Sequence, residues 1–324
     1  MNLRFLMFPA VASVLGMTLV PPPSVAQTAA LSEIRDKIRE GGPVIDIFQA
    51  AALYSPLQEK PPYAGIKVTR DVRYGPAERN LADIFVPESP GTAPRAVLLF
   101  VHGGGFTRGD RQSPPGSPFY DNIAVWAVRN GFIGVNMTYR LAPEFGWPAA
   151  VQDVAAAVRY LETNIEALGG NPSRIFLMGQ SAGAVHVASY IAHPEFHGPQ
   201  GAGVAGAIIV SGAYDLTAFR LGDREKAYFG TDPNRYQERS SLQGLVETKV
   251  PLLIANAELD PPMFVQQAKQ LHDAFNKAGK STVMLTLAGH NHLSTVYSIN
   301  TDDKELTSQI ASFIDGGSQA QQTK

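Results

Sequence analysis

Gly179-Gln180-Ser181-Ala182-Gly183 form a G-x-S-x-G pentad. That spacing lifts a serine hydroxyl out on a tight turn between a strand and a helix. A second segment, His102-Gly103-Gly104-Gly105-Phe106, lacks three consecutive side chains, so its backbone N–H groups can approach a ligand closely. A hydroxyl placed to attack and N–H groups placed to hold a developing oxyanion point together to acyl transfer, above all ester hydrolysis. On these grounds Ser181 is the expected nucleophile. The N–H groups of Gly104, Gly105 and Ala182 are the expected oxyanion hole.

The surroundings of both motifs fit this chemistry. With 30 glycines in the chain, a chance pentad in a structural turn is the competing explanation. Ser181, however, follows an apolar run at residues 174–178 and precedes an alanine-rich segment at 182–192, as a strand–turn–helix requires. The glycine loop likewise follows the run Ala-Val-Leu-Leu-Phe-Val at 96–101. His102 precedes the glycines, and its expected role is structural. The tripeptide Arg108-Gly109-Asp110 has the form of an integrin ligand and is taken as coincidence.

The elements that must carry these residues alternate. Short unbroken apolar runs at 96–101, 132–135, 175–178, 204–210 and 251–255 suit strands buried on both faces. An alternating pattern at 281–288 predicts another, and residues 66–86 predict an early antiparallel hairpin. Between the runs lie amphipathic helices. Val151, Val154, Ala155, Val158, Leu161, Ile165 and Leu168 share one stripe, with Pro148 near the start and Gly169-Gly170 at the end. Further helices are expected at 263–278 and 304–314, and helical spacing also marks 31–51. Strand–helix alternation predicts an α/β fold with a mostly parallel sheet covered on both faces.

Composition narrows the rest. The chain has 324 residues, a net charge of -2 and no cysteine. The lack of a basic block argues against a nucleic-acid partner. Thiol catalysis and cysteine-ligated zinc are excluded, and neither a metal nor a cofactor is expected. Arg4, the apolar stretch 5–20 and the small-x-small site Ser24-Val25-Ala26 read as a cleavable secretory leader. The stretch is short for a membrane span. The expected product is periplasmic or secreted, with no stable membrane anchor once the leader is cut. The expected organisation is a leader at 1–26, an N-terminal cap or flanking segment at 27–65, a hydrolase domain at 66–318 with a cap insertion near 214–245, and a disordered tail at 319–324.

A longer signature goes beyond the pentad. Tyr139-Arg140-Leu141-Ala142-Pro143-Glu144, then Phe145-Gly146-Trp147-Pro148-Ala149-Ala150 and Asp153, together with the histidine–glycine loop, resemble the hormone-sensitive-lipase-like esterases of the α/β-hydrolase superfamily. Residues 80–300 carry the resemblance. It implies an α/β-hydrolase fold and ester hydrolysis. The chain departs from that family at Gln180, where the family has aspartate, and at Gly183-Ala184 and Leu259-Asp260-Pro261-Pro262. Some features look closer to the kynurenine-formamidase and bacterial acetylesterase branches. Arg140, Glu144 and Asp153 are charged residues in an apolar signature, and the favoured reading is a structural ion pair.

The superfamily order is serine, then acid, then histidine. His290 and His292 both follow the last predicted strand. The family places its histidine three residues past a glycine and before an apolar residue, which picks His292 after Gly289 and before Leu293. Asp260, after the run 251–255, is the expected acid. Glu258 is its rival, and Asp215 a weaker one. The expected triad is therefore Ser181, Asp260 and His292. Pocket walls are expected from the N-terminal segment and from the insertion, whose Phe219, Tyr228, Phe229 and Tyr236 either line a pocket or pack the cap itself. The leading expectation is a carboxylesterase for small, short-to-medium acyl substrates. An arylformamidase or amidase on the same triad is the alternative, and a non-enzymatic binding protein on a hydrolase fold is a third.

Overall fold

The computed structural model describes the backbone of residues 25–316, apart from positions 90, 115 and 281, and side chains from residue 29 onward. All but the last two residues of the expected leader, and the expected tail at 319–324, lie outside the described residues. In chain order the elements are α1 (Val25–Gly41), α2 (Ile47–Tyr54), β1 (Ile66–Arg73), β2 (Leu81–Pro87), β3 (Arg95–Val101), α3 (Asp121–Arg129) and β4 (Ile133–Met137). Then follow α4 (Ala149–Asn164), β5 (Gly170–Gln180), α5 (Ala182–Ala192), β6 (Gly206–Val210), α6 (Asp223–Phe229), α7 (Tyr236–Arg239) and α8 (Leu242–Glu247). The chain ends with β7 (Leu252–Leu259), α9 (Pro262–Lys277), β8 (Val283–Asn291), α10 (Ser294–Tyr297) and α11 (Glu305–Gly316).

The eight strands form one sheet in the order β1-β2-β4-β3-β5-β6-β7-β8. The β1–β2 and β2–β4 pairs are antiparallel, and every pair from β4–β3 to β7–β8 is parallel. The apolar runs become the central strands because each face of the sheet needs its own hydrophobic set. On β3, Val97, Leu99 and Val101 face one core cluster with α4, α5 and α9. Ala96, Leu98 and Phe100 face the other, with α1, α3 and α11. Each fully buried side chain of this size contributes roughly 1.5–3 kcal/mol relative to exposure.

The helical spacing at 31–51 resolves into two helices rather than one. Gly42 adopts φ 60°, and its N–H closes α1 onto the Ile38 and Arg39 carbonyls. Pro43 follows and has no N–H to continue the ladder. Asp46 then restarts the chain, accepting hydrogen bonds from the N–H groups of Phe48 and Gln49 at the head of α2. The stripe at 151–168 ends as α4 at Asn164, with a short 3₁₀ turn over Ile165–Leu168. Helix α3 and the short helices α6–α8 lie outside the helices expected from the sequence.

The carboxyl ends of the parallel strands converge on one side. There β3 leads to the histidine–glycine loop, β5 to Ser181, β6 to Ser211, β7 to Asp260 and β8 to His292. Ligands of open α/β sheets bind outside these ends.

Candidate active site

Ser181 sits at φ 57°, ψ −123° between β5 and α5. A non-glycine residue there is strained, and the packing around it enforces the turn. Its N–H donates to the Val210 carbonyl at 3.0 Å, and its carbonyl accepts from the Val185 N–H at 3.1 Å. Only glycine fits on either side. A Cβ on Gly183 would lie 2.0 Å from the Val101 carbonyl oxygen, and one on Gly179 would lie 2.3 Å from the Gly183 carbonyl oxygen.

The loop after β3 is held from beneath by His102. The imidazole is buried, stacks on Tyr139 at 4.3 Å, and donates from Nδ1 to the Gly103 carbonyl at 2.6 Å. That tautomer leaves Nε2 to accept from the Thr138 hydroxyl at 2.9 Å. Burial pushes its pKa down to about 4, so the ring is neutral at pH 7. Gly104 has φ 122° and Gly105 φ 60°. A Cβ on Gly104 would fall 2.0 Å from the Arg108 carbonyl oxygen. Among the described residues the Gly104 and Gly105 N–H groups donate to no partner. Gly104, Gly105, Ser181 and Ala182 all line one cavity.

Asp260 and His292 meet at the ends of β7 and β8. His292 Nδ1 donates to Asp260 Oδ1 at 2.6 Å. The other carboxylate oxygen accepts from the Ser211 hydroxyl at 2.7 Å and from the Ala257 N–H at 2.7 Å. The whole cluster is buried, so the carboxylate is oriented by three donors in a dry setting. His292 Nε2 is buried and, among the described residues, has no hydrogen-bond partner; its ring lines the same cavity as Ser181. Phe264 stacks on that ring at 4.4 Å. The Gln180 amide and the Thr295 hydroxyl donate to the His292 carbonyl at 2.7 and 3.0 Å. Gln180 therefore ties the serine turn to the histidine loop.

The rival residues lie elsewhere. His290 faces away from the cavity, with Nδ1 3.1 Å from the Ser294 hydroxyl and Nε2 3.2 Å from Asp303. Glu258 is exposed and accepts from the Gly289 N–H. Asp215 caps its own turn through Thr217. His290, Asp303 and Glu305 bring three potential metal ligands together. The Arg35 guanidinium stands against them, 3.0 Å from Asp303 and 3.7 Å from Glu305, and supplies the positive charge. The signature residues Arg140 and Asp153 pair at 2.9 Å, while Glu144 is exposed.

The cavity measures about 270 Å³. Ile45 and Ile47 from the N-terminal segment, Leu216, Phe219 and Phe229 from the insertion, and Met263 from the head of α9 form apolar walls. The insertion's aromatic residues divide between the two expected uses. Phe219 and Phe229 line the cavity. Tyr228 stacks on Phe106 of the glycine loop at 5.0 Å, and Tyr236 is buried with its hydroxyl on the Gly230 carbonyl. Ser211, Gln180 and Phe264 were not expected in this arrangement. For Ser211 a signal existed, since it occupies the same strand-end position after an apolar run as Ser181 does.

The chain is similar to known proteins over most of this region. The BD-FAE family profile matches residues 82–275. Esterase LipQ of Mycobacterium tuberculosis is 30% identical over 237 residues, 66% of this chain and 54% of LipQ. Carboxylesterase NlhH of the same organism is 42% identical over 88 residues, 27% of this chain and 26% of NlhH. The chain thus spans about half the length of LipQ, and 59% of the length of esterase LipC. Among solved structures, an inhibited esterase B from Lactobacillus rhamnosis superposes with a TM-score of 0.68 at 16% identity, covering 92% of this chain and 99% of that one. A truncated carbohydrate esterase from gut microbiota gives 0.66 at 18%, covering 81% and 100%. Such identities speak for the α/β-hydrolase fold alone. The family profile spans more than half of the chain, and on that match the chain belongs to the BD-FAE family.

Proposed function

We propose that this chain is a serine carboxylesterase that cleaves small esters of short-to-medium acyl groups through an acyl-enzyme. The observation that carries this reading is the 2.6 Å contact of His292 with Asp260, with the free Nε2 and the elbow serine on one cavity. The esterase names of the relatives support it.

In this reading Ser181 attacks the acyl carbon while His292 Nε2 accepts its proton. Asp260 holds the tautomer and stabilises the imidazolium. The carbonyl oxygen becomes an oxyanion against the N–H groups of Gly104, Gly105 and Ala182, which are unpaired by backbone before substrate arrives and so need no reorganisation. His292 then protonates the leaving alkoxide, and water repeats the sequence to release the acid. An apolar cavity of about 270 Å³ suits compact acyl groups better than long chains. The leader-like residues 1–26 would place this activity in the periplasm or outside the cell, which fractionation of the producing cells tests.

The direct test is Ser181→Ala with a p-nitrophenyl ester chain-length panel. The expected loss in kcat is at least ~10³-fold with an unchanged melting curve. Ester turnover near the wild-type rate would sink the assignment. Anilide and formamide substrates run alongside separate an esterase from an amidase or arylformamidase. An organophosphate adduct on Ser181 would exclude a non-enzymatic binding protein.

A further inference from the structure

Among the described residues, Arg108, Arg159, Arg220 and Arg224 are the arginines whose guanidinium groups make neither a hydrogen bond nor an ion pair. Two of these four, Arg108 and Arg224, line the cavity that holds Ser181 and His292. They reach it from different elements. Arg108 belongs to the loop after β3, and Arg224 to helix α6 of the insertion.

Arg224 lies directly on the oxyanion loop. Its Cδ is 2.9 Å and its Nη1 3.3 Å from where a Cβ on Gly105 would stand. The missing side chain of Gly105 thus gives the guanidinium stem its seat. The lining contains one carboxylate, Glu225. That carboxylate makes no ion pair with either arginine and turns back over Gly222, with Oε2 2.8 Å from where a Cβ there would stand. The rest of the lining is dominated by apolar side chains such as Phe219, Phe229 and Leu216. An apolar cavity bordered by two exposed arginines with uncommitted guanidinium groups matches an apolar body that carries a negative charge. Guanidinium groups suit carboxylate because their paired N–H donors fit its two oxygens.

We propose that Arg108 and Arg224 select esters whose acyl or alcohol part carries a free carboxylate. This specificity rests on the esterase reading of Ser181 above. Arg224 holds the carboxylate next to Gly105, and Arg108, also in the lining, adds positive potential. Neither residue touches the reacting atoms; both act on how the substrate is held.

The test uses matched substrate pairs on the full chain. One pair is the p-nitrophenyl monoester of glutarate with its methyl-capped neutral counterpart, which puts the charge on the acyl side. The other is an acetyl ester of hydroxybenzoate with its methyl-capped counterpart, which puts it on the alcohol side. The wild type should favour the charged member of at least one pair in kcat/KM. Arg224→Gln should lower that charged-to-neutral ratio about tenfold, and Arg108→Gln several-fold. Arg220→Gln, which removes an unpaired arginine outside the cavity lining, should leave the ratio unchanged. The wild-type preference should also weaken as salt rises from about 0.01 to 0.5 M. A wild type that prefers the neutral member of both pairs overturns the proposal, as does a ratio that Arg224→Gln leaves within twofold. Failure of the esterase reading shows separately, as no Ser181-dependent turnover of any of the four substrates.

Discussion

Ser211→Ala tests how the proposed acid, Asp260, is held. The Ser211 hydroxyl gives Asp260 Oδ2 one of its two hydrogen bonds, at 2.7 Å, and the Ala257 N–H gives the other. Both side chains are buried, so water cannot replace the lost donor. A hydrogen bond to a charged group is worth about 1.5–3 kcal/mol. That full amount is an upper bound on the catalytic effect, because the bond exists in both the ground state and the transition state. The part that counts is the orientation of the carboxylate toward His292 Nδ1. With one oxygen still tied to Ala257, kcat should fall about tenfold, against about 10⁴-fold for Asp260→Asn, which reverses the tautomer. The folded state loses the bond outright, which should appear as about 1.5–3 kcal/mol of lost stability. Steady-state kinetics on a p-nitrophenyl ester and urea unfolding measure the two parts. A kcat within twofold of wild type, with stability unchanged, would refute the view that Ser211 positions the carboxylate.

Other perturbations follow from the same packing. Gly104→Ala should cut kcat at least ~10²-fold, because its Cβ would lie 2.0 Å from the Arg108 carbonyl oxygen and displace a proposed oxyanion donor; rates within threefold would contradict that role. His186 is buried among Phe106, Tyr139 and Tyr228, both its ring nitrogens lack partners among the described residues, and burial pushes its pKa down from 6.5 to about 3. Below about pH 6.5 the unfolded chain takes up a proton that the folded chain refuses, so stability is lost as pH falls, by about 2 kcal/mol at pH 5. His186→Leu should remove that loss while costing little at pH 7.5; parallel unfolding curves for both proteins at pH 5 and 7.5 would disprove it. Asp153→Ala leaves Arg140 without its carboxylate and should cost about 3 kcal/mol, since Asp153 is buried and Arg140 only partly exposed; a change below about 1 kcal/mol would show the pair to be a surface contact.

The chain order of strands and helices was legible because each central strand is an unbroken apolar run, and a run buried on both faces has few alternatives. The pentad and the glycine loop were legible for a different reason. Gly104, Gly179 and Gly183 are fixed by clashes at 2.0–2.3 Å with neighbouring backbone, so the local sequence records a tertiary constraint. The break between α1 and α2 was written in Gly42 and Pro43, although apolar spacing alone runs across it.

Choosing among carboxylates and imidazoles is another matter. Glu258 and Asp260, like His290 and His292, are two residues apart, and in a strand such residues point the same way until the strand ends. The end of β8 at Asn291 separates His290, turned toward Asp303 and Arg35, from His292, turned toward Asp260. Only the resemblance to a family favoured one of them from sequence. Ser211, Gln180 and the two cavity arginines come from four different parts of the chain, and no spacing rule joins them. Sequence by itself determined the elements and the chemistry each strand end can offer. The convergence of five strand ends decided which side chains meet, because contacts across a sheet depend on strand order and register rather than distance along the chain.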